Sequence, residues 1–402
     1  MNKQGQMQVL FLPWVHGYDE IQVGPVHLWP YNRLKREKIR DDGIVDALDG
    51  IFASFMDYQG RPLDVTVCTY EGYGFRKLKP PQELDVYRAV NAVAFTSICS
   101  TVHKRVTIGG SWRSEPCNAD GFELHSRTFS FKDSHLVVKA PGLADIIDPD
   151  TARFSMPPVA AGSRWSPDAT LIAGFDRMHH AKIKPESRER IHRAVEFALM
   201  GHMRSQRWSP ETRIVMLATA LETILRIGNV PNKSEKMAEE LEKTIVKRST
   251  LRFAKEARPT DKQKDSSRRG CMSLSPKDLL RACSPRNTGR VERTKLGWWG
   301  YDFYKLRNAA VHGVALGRDD LVCGETGFRH LEVATLILRN VLARDMLKLN
   351  LIRNKAKDLV RERLKLLKEV RSVKQFAREA LAESERSMGL VDVYDKLGWL
   401  KE

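Results

Sequence analysis

A chain of 402 residues is longer than one hydrophobic core usually serves, and 42% apolar with 8% aromatic residues is the composition of a globular protein of two or three domains. No run of about 18 apolar residues occurs, which excludes a membrane-spanning helix. The 67 basic against 50 acidic residues leave a net charge of +17, which favours a polyanionic partner, most often nucleic acid, over an acidic metabolite.

The opening MNKQGQMQVLFLPWV has one lysine, an apolar run broken by Pro13 and no small-residue cleavage site, so it is not expected to act as a signal peptide. Residues 9–15 (VLFLPWV) and 23–30 (VGPVHLWP) read as short strands bounded by turn residues. Residues 42–56 carry apolar side chains at helical spacing, 63–70 alternate like a strand, and 83–102 form a longer, largely buried helix. Residues 122–131 and 135–141 then predict a strand pair. The pattern suits α+β or α/β, and the expectation is an α/β domain over 1–172, with no GxGxxG, no Walker loop and no acid pair at metal spacing. Cysteines at 68, 99, 117, 271, 283 and 323 show no CxxC or Cys/His ligand spacing. They are expected to be reduced thiols in a cytoplasmic protein, and no cofactor or metal is implied.

From about residue 175 the strand signals stop. Residues 186–205 are amphipathic. The run SPETRIVMLATALETILRI (209–227) starts with Ser209 as a cap, Pro210 at the first helical position and Glu211 in the first turn. A further helix is expected over 234–248, capped by Ser234. Residues 247–270 lose the apolar pattern and hold nine Lys or Arg against three acids, which predicts a flexible basic loop. Within it, Lys247, Arg248, Arg252, Lys255, Arg268 and Arg269 are candidates for gripping an RNA backbone, a solvated charged surface being the alternative. Helical signal resumes at 275–283 and again at 327–349, the latter mostly buried. An all-α bundle over 173–350 followed by a basic helical extension over 351–402 completes the expected order.

One helix of that bundle contains YKLRNAAVHG, residues 304–313. At 100° per residue, Phe303, Leu306, Ala310 and Val314 share a stripe assigned to the core, while Tyr304, Asn308 and His312 share another. Arg307 lies about 140° around from His312, so one straight helix does not bring both onto one small ligand. A distorted helix end at Gly313, or a second copy in a two-fold dimer, would. A histidine titrates near neutral pH and can move protons. An arginine forks onto phosphate and stabilises growing negative charge. With an amide beside them, these groups suffice to cut RNA through its own 2′-hydroxyl without a metal. On residue chemistry alone, a solvated helix face remains the plainer reading. Trp298 and Trp299 are candidates for base stacking or for packing, and His179, His180 and Asp176 for a metal site or for none.

The stretch resembles the HEPN superfamily, helical-bundle domains of many prokaryotic toxins and antiviral nucleases, whose signature is Arg, four to six residues, then His. Here it reads RNAAVH from Arg307 to His312, inside YDFYKLRNAAVHG, and IVMLATALETILR (214–226) is similar to the earlier family helix with a glutamate in ALE. The resemblance spans about 180–350. It implies a homodimer whose paired motifs form one metal-independent endoribonuclease site, with His312 as acid/base, Arg307 on the phosphate and Asn308 orienting the scissile group. Glu222 would support Arg307, and Tyr304 would line the cleft or pack. The resemblance also implies antiphage defence or toxin-like growth arrest, with the N-terminal domain sensing a trigger. An inactive dimer that binds RNA or a nucleotide for a partner is the alternative. A family branch paired with a nucleotidyltransferase has Tyr two residues after the His; this chain has Val314.

Overall fold

The structure, a computed structural model, describes residues 6–108, 118–139, 163–203, 208–245, 295–323 and 328–352, save Tyr18, Tyr58, Tyr73, Asp133, Ser134 and Arg318. The chain divides into two compact units, with the main division between Lys182 and Ile183. The expected boundary after 172 would have cut through a helix.

The first unit is built on a six-stranded sheet. Its strands are β1 (Met7–Leu12), β3 (Ile21–Val23), β4 (Val26–Pro30), β5 (Thr66–Tyr70), β6 (His125–Lys132) and β7 (His135–Lys139), in the order β3-β4-β5-β1-β6-β7. Every neighbouring pair runs antiparallel. The unit is therefore α+β and not the α/β domain expected over 1–172, because no two neighbouring strands of this sheet are parallel and none needs a crossover helix between them. Gly24 and Pro25 split the expected strand 23–30 into a hairpin, and Gly24 has a φ of +60° that a side chain would resist. A two-residue strand β2 (Val15–His16) pairs in parallel with β8 (Ser163–Arg164).

Helices α1 (Tyr31–Glu37) and α2 (Asp42–Ala53) supply Tyr31, Leu34, Leu48, Ile51 and Phe52 to the core that also holds Phe11, Trp14, Val67 and Phe129 of the sheet side. Asp41 caps α2, its side chain accepting from the Ile44 N–H. Helix α3 (Pro80–Ile108) is tied to the sheet by two polar contacts. Gln8 Nε2 donates to Glu83 Oε1 at 2.8 Å, and the Tyr70 hydroxyl donates to Asp85 Oδ2 at 3.2 Å. Burial pushes the Cys68 thiol up to about 12, so it stays protonated and inert.

The sequence reading missed α4 (Ala169–His180), which Asp168 caps by accepting from the N–H groups of Thr170 and Leu171. This helix belongs to the first unit because it packs on β3, where Asp176 Oδ1 accepts from the Gly24 N–H at 2.9 Å. Asp176 is thereby committed to a turn.

The second unit contains, among the described residues, α5 (Pro185–His202), α6 (Pro210–Leu225), α7 (Lys233–Ile245), α8 (Lys295–Val311) and α9 (His330–Lys348). A two-residue pair, β9 (Val322–Cys323) and β10 (Phe328–Arg329), precedes α9. In α9 every residue from Val333 to Ala343 is buried, the pattern of a central helix. Helix α8 packs on α7 and α6, and α9 packs on both of these as well. Close approach of α8 to α7 depends on Gly300, whose missing Cβ would stand 2.5 Å from Leu241 Cδ1. Ser209 and Pro210 open α6 as expected, Ser209 Oγ accepting from the Thr212 N–H at 3.3 Å. Helix α7 starts one residue before Ser234, whose expected capping role falls to Asn232: its carbonyl accepts from the N–H groups of Glu235 and Lys236. Among the described residues no helix is long and apolar enough to cross a membrane. The basic loop with its six candidate RNA contacts, the helix expected at 275–283 and nearly all of the 351–402 extension lie outside the described residues.

Candidate active site

The motif helix α8 is fixed by aromatic packing at its first turns. Trp299 is 1% exposed and stacks on Phe303 at 4.8 Å between ring centroids, and Trp298 is buried beside it. Both tryptophans are thus core residues and not base-stacking platforms. His330, the first residue of α9, stacks on Phe303 and Trp299 at 6.0 and 6.4 Å. Its burial lowers its pKa to about 4, so it is neutral at physiological pH.

The buried stripe differs from the expected one. Phe303 is buried as predicted, but its partner is Tyr304, at 2% exposure, and Leu306 and Ala310 are only half-buried. Val314 is 53% exposed. Spacing fixes which residues share a face, while the glycine contact with α7 decides which face turns inward.

Burying Tyr304 brings Arg307 with it. The guanidinium carbon lies 5.4 Å from the Tyr304 ring centroid, and Arg307 Nη1 donates to Asn308 Oδ1 at 3.2 Å. Arg307 Nε is 3.9 Å from Glu222 Oε1 on α6, in ion-pair range but beyond a hydrogen bond. Burial, and then the Glu222 carboxylate, push the Tyr304 hydroxyl well above its ordinary pKa. Four of the five residues predicted from the sequence therefore meet: Tyr304, Arg307, Asn308 and Glu222. In this structure Asn308 contacts Arg307.

His312 is exposed, and its N–H donates to the Asn308 carbonyl at 3.0 Å. Gly313, with a φ of +75°, ends the helix. Its N–H donates to Ala310 O at 3.2 Å, and the Val314 N–H donates to Ala309 O at 3.0 Å. These two bonds make a Schellman motif with His312 as the last capped residue. The imidazole therefore stands at the C-terminal end of the helix, exposed to solvent. The chain beyond it is held to the start of α6: Glu211 Oε1 accepts from the Leu316 N–H at 3.4 Å. The Ser209 hydroxyl is the main influence holding the Glu211 carboxyl below the usual carboxylate range. Between these segments runs an open groove of about 450 Å³, lined by Ser209, Thr212, Val215, Ala310, Gly313 and Val314.

One contributor was not predicted. Lys233 Nζ donates to Glu222 Oε2 at 3.3 Å, so the carboxylate faces cations from both α7 and α8. The sequence carried no signal for it, because Lys233 lies outside the helix expected over 234–248 and its partner sits on another helix. Among the described residues no group of three or more His, Cys, Asp or Glu could hold a metal ion. Compared with known families, curated proteins and solved structures, the chain has no match to a family model and no significant match to a curated protein or a solved structure.

Proposed function

We propose that the second unit is a metal-independent endoribonuclease of the HEPN kind. It would work as a homodimer in the cytoplasm, in antiphage defence or toxin-like growth arrest. The observation carrying this reading is the arrangement of the motif: Arg307 is held by Asn308 and Tyr304, with the Glu222 carboxylate in ion-pair range, while His312 ends the same helix in solvent. A fixed cation and, at the end of the same helix, an exposed imidazole are the groups that transesterification of RNA uses.

In the proposed reaction an imidazole takes the proton of a ribose 2′-hydroxyl. The freed oxygen attacks the adjacent phosphorus, and the bond to the 5′-oxygen breaks as that oxygen gains a proton. A 2′,3′-cyclic phosphate and a 5′-hydroxyl result. Arg307 forks onto the non-bridging oxygens as their charge grows. Removing one proton while delivering another takes a base and an acid, and a two-fold dimer would supply a second His312 for the other role. The half-exposed Val311 and Val314 on either side of His312 support an interface there.

Product chemistry tests the reading. Incubation of single-stranded RNA in EDTA is expected to yield cyclic-phosphate ends, and a 2′-deoxy nucleotide at the cleaved position is expected to block cutting there. Cutting that persists at the deoxy position would refute it.

A further inference from the structure

Three helices bring a charge to one point. Glu222 comes from α6, Lys233 opens α7 and Arg307 sits on α8. Glu222 is the shared partner, and its side chain is only 14% exposed. Its two oxygens are used unequally. Oε2 accepts from Lys233 at 3.3 Å, whereas Oε1 stands 3.9 Å from Arg307 Nε. Oε1 and Arg307 Nε are both buried and neither makes a hydrogen bond.

A carboxylate this close to an arginine ordinarily forks onto it with two parallel hydrogen bonds. Such a fork would occupy the guanidinium edge that a phosphate needs. Here the carboxylate is turned toward Lys233, and the guanidinium is located by neutral groups, the Asn308 amide and the Tyr304 ring. Lys233 follows directly on the connection from α6 to α7. Arg226 and Asn232 adopt left-handed backbone at φ of 59° and 57°, and Asn232 receives the first hydrogen bonds of α7. Arg226 there ends α6 as a left-handed cap, and asparagine adopts that region more readily than most residues.

We propose that Lys233 is a positioning residue: by engaging Glu222 Oε2 it keeps the carboxylate from clamping Arg307. The three side chains then carry one net positive charge, matched to one phosphate of an RNA backbone. The identity of the anion rests on the endoribonuclease reading; the effect of Lys233 on Arg307 does not.

The test uses the full chain with Lys233→Met, Lys233→Arg and the double variant Lys233→Met/Glu222→Gln. The Arg307 Nε–H resonance, assigned by its loss in Arg307→Lys, reports the clamp directly. In Lys233→Met it is expected to move downfield and exchange more slowly, as Glu222 closes onto Arg307. Binding of a 2′-deoxy-blocked oligoribonucleotide is expected to weaken about tenfold, the loss of roughly one phosphate contact. Lys233→Arg should restore both readouts, and Glu222→Gln added to Lys233→Met should restore binding. A resonance unchanged in Lys233→Met overturns the proposal, as does binding that Glu222→Gln fails to rescue. If the resonance moves but the wild type cuts no RNA, the positioning role stands and the nuclease reading falls.

Discussion

Glu222 Oε1 lies 3.9 Å from Arg307 Nε, close enough for attraction and too far for a hydrogen bond. Tyr304 is buried against this pair, and Glu222 helps to keep its hydroxyl protonated. A neutral, enclosed phenol does not shuttle protons at physiological pH. Tyr304→Phe should therefore leave RNA cleavage within a few-fold of wild type. Tyr304→Ala should cost about 3 kcal/mol of stability, as for other large core truncations. Urea unfolding and cleavage assays on both variants check the pair of expectations.

Gly300 sets the approach of the motif helix to α7. A Cβ there would meet Leu241 Cδ1 at 2.5 Å and Ala238 Cα at 3.7 Å. Alanine should gain about 1 kcal/mol in helix propensity and lose about 1–3 kcal/mol by overpacking. The net expectation is a lower unfolding midpoint for Gly300→Ala. A raised midpoint would mean that Leu241 swings aside freely.

His330 makes stability depend on pH. Its pKa falls from the ordinary 6.5 to about 4 on folding, through burial beneath Trp299 and Phe303. Between those values the unfolded chain binds a proton that the folded chain refuses, so stability decreases as pH falls through the window. At 1.36 kcal/mol per unit the full loss is about 3 kcal/mol, present below pH 4 and absent above 6.5. His330→Phe should flatten that slope, measured by urea unfolding at pH 7, 6 and 5.

Val311 and Val314 are 50% and 53% exposed on either side of His312. If this face joins two copies, Val311→Asp or Val314→Asp should shift the protein to monomer in sedimentation, and cleavage should fall with it. A variant that stays dimeric and active would place the interface elsewhere.

The sequence made some of this legible for identifiable reasons. Ser209-Pro210 announced the start of α6 because capping chemistry is local. The apolar run of α9 announced a central helix because burial all round needs no choice of face. Helix α4 was missed although Asp168 caps it and Leu171, Phe175 and Met178 stand at helical spacing, because the stripe spans only two turns and contains Gly174. The inward face of α8 was misassigned because it depends on Gly300 meeting Leu241, a contact 59 residues away in the chain. Arg307, Asn308 and His312 were visible as a spacing. That Lys233 shares Glu222 with Arg307 was not, because three separate helices create it.

The most direct measurement of the central claim is cleavage of labelled RNA in EDTA by the wild type beside His312→Ala and Arg307→Ala. Acid/base catalysis contributes about 10²–10⁴-fold, so the account predicts cutting by the wild type and a loss of at least about 100-fold in His312→Ala. Equal cutting by all three proteins, or none by the wild type, would contradict it.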